Sequence, residues 1–167
     1  MCMSKQLLHQ KEKIVCMTNR HLAGDFLPQV EKVAAMGIQT IILREKDLEA
    51  AEYEKLAREV LCICKKYQVK CILHNFSETA EKLWQDKTIY QPAGLHLPIR
   101  KFLALTEEQK KQIPLLGVSV HSLDEAGQCE RLGASYVTAG HIFVTDCKKG
   151  VPPRGLSYLE EICAGVK

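Results

Sequence analysis

The sequence predicts an α/β fold of parallel strands, and three observations carry that expectation. Short apolar runs rich in β-branched residues alternate with longer amphipathic stretches along the whole chain, the rhythm of repeated βα units. Of the 167 residues, 46% are hydrophobic and 26% charged, which suits one globular domain, 1–167, with a core of its own. After the first apolar run, Met17-Thr18-Asn19-Arg20-His21 contains no glycine, so the G-x-G-x-x-G turn of a dinucleotide-binding sheet is missing. The units are therefore expected to roll into a TIM-type βα barrel. A complete eight-unit barrel typically takes ~250 residues, and only about six βα units fit here.

Strands are expected at residues 14–18, 38–44, 69–75, 94–97, 114–121 and 136–143. Between the first two, Asp25 is placed to cap a helix burying Phe26, Val30, Val33 and Ala34, and Gly37 to stop it. Asp47 is expected to cap the next, in which Leu56, Val60, Ile63, Cys64 and Tyr67 recur at helical spacing. Ser77 opens a helical segment carrying Leu83 and Trp84, and residues 106–112 read as a short polar helix. Ser122-Leu123-Asp124-Glu125 is a capping box before a helix that Gly133 stops, and residues 156–166 form a last amphipathic helix.

Charge and composition exclude several classes. The net charge of +3 comes from 23 basic and 20 acidic residues spread along the chain, without the basic stripe that nucleic acid requires, so no nucleic-acid partner is expected. The longest apolar runs, such as 38–43 and 115–120, fall far short of the ~20 residues of a membrane span. Residues 1–13 lack the apolar centre of a signal peptide, and a cytoplasmic protein is expected. The eight cysteines contain no C-x-x-C pair and are read as reduced, mainly buried thiols.

Candidate functional residues lie at strand ends, where βα barrels build their sites. Alternation puts Thr40, Ile42, Arg44 and Lys46 on one face, so two cations suited to phosphate or carboxylate would share one mouth unless Glu45 or Asp47 pairs with them. Ser119 and His121 fall together opposite Val118 and Val120, and a histidine can take up and return a proton near neutrality. Asn75, on a face with Leu73 and Cys71, could fix a polar ligand atom or simply form a turn. His9, His21, His74, His96 and His141 have no metal-ligand spacing and read as structural or exposed. Residues 145–155 have the length and composition of a lid.

Together these segments resemble the thiamine phosphate synthase/TenI superfamily of βα barrels. Leu43-Arg44-Glu45-Lys46, Gly94-Leu95-His96-Leu97, Gly117-Val118-Ser119-Val120-His121-Ser122 and the block from Gly140 to Gly150 occur in the family's order, and that last block is similar to the TenI branch. In the synthase branch a pyrimidine diphosphate is joined to a thiazole phosphate with magnesium. Where that pattern has a glutamine and two metal-binding aspartates, this chain has Ile42, Phe76 and Lys101.

The resemblance therefore implies a TenI-like thiazole tautomerase, an isomerase needing neither metal nor cofactor. His121 would shuttle the proton, Arg44 and Lys46 would hold an anionic group of a thiazole phosphate ligand, Ser119 and Asn75 would orient its ring, and Thr145 and Lys148 would close over it. Two alternatives are a thiamine phosphate synthase with shifted metal ligands and a non-catalytic ligand-binding regulator. With about six units, the chain is expected to be C-terminally short, lacking the phosphate cradle that barrels build after strands seven and eight. Either a longer product or a second copy, in a homo-oligomer, would cover the open side.

Overall fold

The computed structural model describes residues 14–145 and 150–166. Six parallel strands follow one another across a single sheet in chain order: β1 (Val15–Met17), β2 (Thr40–Leu43), β3 (Lys70–His74), β4 (Gly94–Pro98), β5 (Leu116–Val120) and β6 (Tyr136–Ala139). The helices are α1 (Phe26–Ala35), α2 (Ala50–Tyr67), α3 (Ser77–Gln85), α4 (Ile99–Leu103), α5 (Glu107–Gln112), α6 (Leu123–Arg131) and α7 (Gly155–Gly165). The sheet is a curled half-barrel whose edges are β1 and β6. All six expected strands are present, trimmed at their ends except at Gly94 and Tyr136 and, in β4, extended by one residue to Pro98.

Alternation along the strands separates two faces. Ile41, Leu43, Cys71, Leu73, Leu95, Leu97, Val118 and Val120 point toward the helices and pack with Val30, Ala34, Tyr53, Ala57, Leu61, Leu83 and Phe102. The concave face carries the intervening residues, and the strand register lines up His74, His96, Gly117 and Tyr136 in one row, with Pro98, Ser119 and Thr138 in the next. Polar groups thus gather on the face away from the main core.

Helix ends follow the local chemistry with two corrections. Asp25 stands at the N-cap of α1, but its side chain accepts no capping hydrogen bond there; Gly37, at φ +82°, turns the chain out of the helix in a conformation that favours glycine. Asp47 does not cap α2; Glu49 does, in a reciprocal box with Glu52, because Asp47 is drawn to the Arg20 guanidinium instead. Ser122 caps α6 by accepting from the Glu125 amide at 3.1 Å, while the Glu125 carboxylate accepts from the His121 amide at 2.6 Å. The 3-10 turn at Arg20–Leu22 and helix α4 are absent from the sequence reading.

Cys16, Cys62, Cys64, Cys71, Cys129 and Cys163 are free thiols, three of them buried; Cys2 and Cys147 lie outside the described residues. No helix among the described residues is long and apolar enough to cross a membrane.

Candidate active site

A cavity of about 840 Å³ opens over the concave face at the C-terminal ends of the strands. Arg44 and Lys46, just past β2, line it, together with His74 at the end of β3, Ser119 and His121 from β5, and Thr138 from β6. Thr145 lines it as well. No aspartate or glutamate stands among its described lining residues, so its charged groups are cationic.

The two cations are set by the residue between them. Glu45 is buried and points to β1, where it accepts from the Thr18 hydroxyl at 2.6 Å and from the Arg20 amide at 3.0 and 3.1 Å. Thr18 Oγ1 in turn accepts from the Arg44 amide at 2.9 Å. Arg20 also grips Asp47 with both terminal nitrogens, and that contact, followed by His21, holds the Asp47 carboxyl well below the usual carboxylate range. Glu45 and Asp47 are therefore engaged from the β1 side, while Arg44 and Lys46 face the cavity.

Beneath them lie two histidines that sequence reasoning left as structural or exposed. His74 and His96 face one another with ring centroids 5.5 Å apart and planes 17° apart. Burial, then His96, Lys46 and Arg44, push His74 down to about 3. Burial and Lys46 push His96 down to about 4, so both are neutral at neutral pH. His96 is hydrogen-bonded on both ring nitrogens, to Tyr136 on one side and to Ser119 and Thr138 on the other. The signal in the sequence was alternation: His74 follows Leu73, and His96 sits between Leu95 and Leu97, so both oppose the helix-facing residues.

The remaining candidates divide. His121 stands at the rim, 45% exposed at its side chain, with Nδ1 3.5 Å from Glu125. Asn75, in a left-handed conformation at φ +74°, lines an adjoining cavity with Phe76 and Lys101 rather than the one holding Arg44, as its shared face with Leu73 and Cys71 requires. Lys148 lies outside the described residues.

The thiamine monophosphate synthase family profile matches residues 14–167, nearly the whole chain. The chain belongs to that family. Among relatives, a thiamine-phosphate synthase of Desulfitobacterium hafniense is 34% identical over 158 residues, covering 90% of this chain and 71% of that protein. A thiamine-phosphate synthase of Bacillus licheniformis is 31% identical over 150 residues, covering 87% of this chain and 64% of the relative. Among solved structures, a thiamine phosphate pyrophosphorylase from Pyrococcus furiosus superposes with a TM-score of 0.73 at 25% identity, covering 93% of this chain and 71% of its own.

For this member of the thiamine monophosphate synthase family, the comparisons correct one expectation. The departures at Ile42, Phe76 and Lys101 pointed to a thiazole tautomerase, but the two relatives bear synthase names and the solved structure that of a thiamine phosphate pyrophosphorylase, which overturns the tautomerase reading and its isomerase class. The superfamily and the barrel-type fold stand.

Proposed function

We propose that the chain acts as a thiamine phosphate synthase, a transferase that joins a pyrimidine diphosphate to a thiazole phosphate and releases diphosphate. In that reaction one bond forms between the two heterocycles, the bond to diphosphate breaks, and negative charge grows on the departing group. The observation that carries the reading is the cavity's charge: Arg44 and Lys46 face a space with no acidic residue on its described wall, suited to phosphate-bearing substrates. Lys46 lowers the proton affinity of both buried histidines beneath, and Arg44 that of His74, in keeping with a positively charged mouth. Ser119 would donate to a substrate atom, and His121 and Thr145 would contact the substrate at the rim.

The synthase branch implies magnesium, and the residues here do not fit it. Phe76 stacks on Tyr53 with centroids 3.9 Å apart, and Lys101 Nζ donates to the Asn75 carbonyl at 3.0 Å, so both positions lack the oxygen ligands a hard cation takes. Among the described residues no group of three or more His, Cys, Asp or Glu could hold a metal.

The test is a transfer assay on the purified chain with both substrates, with and without magnesium, following thiamine phosphate and diphosphate together. Equimolar appearance of the two is expected. Failure to form either, under conditions where the Bacillus licheniformis relative turns over, would sink the reading.

A further inference from the structure

A fully buried histidine bonded on both nitrogens must hold its single proton on one of them, and the choice decides which way its neighbours' hydrogens point. Tyr136 Oη lies 3.0 Å from His96 Nδ1, and burial pushes the phenol well above its usual value, so it keeps its proton. Were Nδ1 protonated, it would donate to the phenol oxygen, and the phenol hydrogen would lose this acceptor. On the opposite side, Ser119 Oγ lies 2.8 Å from His96 Nε2 and accepts from Thr138 Oγ1 at 3.3 Å.

The Tyr136–His96 contact is built into the strands. The register places Gly117 between His96 and Tyr136. A Cβ there would fall on the Tyr136 ring and lie 2.6 Å from His96 Nδ1. Glycine is the residue that lets the phenol cross the β5 backbone and reach the imidazole.

We infer that Tyr136 locks His96 as the Nε2–H tautomer, so that the Ser119 oxygen accepts from the imidazole and the Ser119 hydroxyl hydrogen is turned into the cavity as a donor to an anionic ligand oxygen. Tyr136 and His96 are then positioning residues that act through Ser119. Neither lines the cavity itself, whereas Ser119 does. The ligand half of this inference rests on the cavity being the phosphate-binding site proposed above; the tautomer half does not.

Histidine-selective ¹⁵N NMR of the full chain at neutral pH reads the tautomer directly, and binding of inorganic diphosphate reads the donor. Wild type should show His96 with Nδ1 bare and Nε2 protonated, and Tyr136→Phe, which keeps the ring, should shift population toward Nδ1–H. Ser119→Ala should weaken diphosphate binding by ~10-fold, the worth of one charge-assisted hydrogen bond, and Tyr136→Phe by ~3-fold. Because Tyr136 works through Ser119, the double variant should lose only the same ~10-fold. Gly117→Ala, which drives phenol and imidazole apart, should reproduce the tautomer change by a second route. An Nδ1–H wild type, a multiplicative loss in the double variant, or a wild type that binds no diphosphate would each overturn the inference. Neither measurement needs turnover, so failure of the synthase assay alone leaves both results standing.

Discussion

The Thr18 hydroxyl donates to the Glu45 carboxylate at 2.6 Å, tying the end of edge strand β1 to the turn after β2. Since the same oxygen of Thr18 receives the Arg44 amide, the cation's backbone is fixed by a carboxylate pointing the other way. Glu45→Ala would leave the Thr18 hydroxyl and the Arg20 amide without their acceptor, and urea unfolding should show a loss of about 2–4 kcal/mol. Glu45→Gln, which keeps one acceptor oxygen, should lose less than half of that.

Arg44 and Lys46 are expected to act on affinity. Arg44→Ala and Lys46→Ala should each weaken inorganic diphosphate binding by about 10–100-fold, the range for losing a charge-assisted contact, with little change in melting temperature. Calorimetric titration at two salt concentrations checks it. Affinity unchanged in both variants would remove the cavity from substrate binding.

Two buried neutral histidines make stability depend on pH. Their folded values lie near 3 for His74 and 4 for His96, below the roughly 6.5 of an exposed histidine, so the unfolded chain binds the extra protons. Stability from this source is complete above about pH 6.5 and falls as pH drops toward 4, by about 1.4 kcal/mol per pH unit for each histidine. His74→Leu should flatten the slope of unfolding free energy between pH 4.5 and 6 by about that amount, measured against wild type so that carboxylate contributions cancel.

Tyr53 holds two strands from the helix side. Its hydroxyl donates to the Leu43 carbonyl at 2.7 Å and receives the His74 amide at 3.0 Å, in full burial. Tyr53→Phe should cost about 1–3 kcal/mol by leaving both groups unpaired. Hydrogen exchange should quicken first at the His74 amide.

Much of this arrangement is legible in the sequence. Period-two alternation found the helix-facing rows and put Arg44 with Lys46 and Ser119 with His121, all four of which line the cavity. Asn75 was expected beside Ser119 at the ligand, yet it lines the adjoining cavity, on the side of its strand companions Leu73 and Cys71. Spacing along the chain does not single out His74 and His96, because their meeting depends on the register between β3 and β4. Asp47 looked like a helix cap because the pull of Arg20, 27 positions earlier, leaves no mark in the local sequence.

The strand order has a consequence for how the chain acquires its shape. Among the described residues each strand pairs with its neighbours in chain order, at separations running from 19 positions between Gly117 and Tyr136 to 30 between Thr40 and Lys70. Among the described strands, loop-closure entropy is paid in similar, modest instalments. β1 through β3 can therefore assemble while later residues are still on the ribosome, each new βα unit laid against a partner already in place.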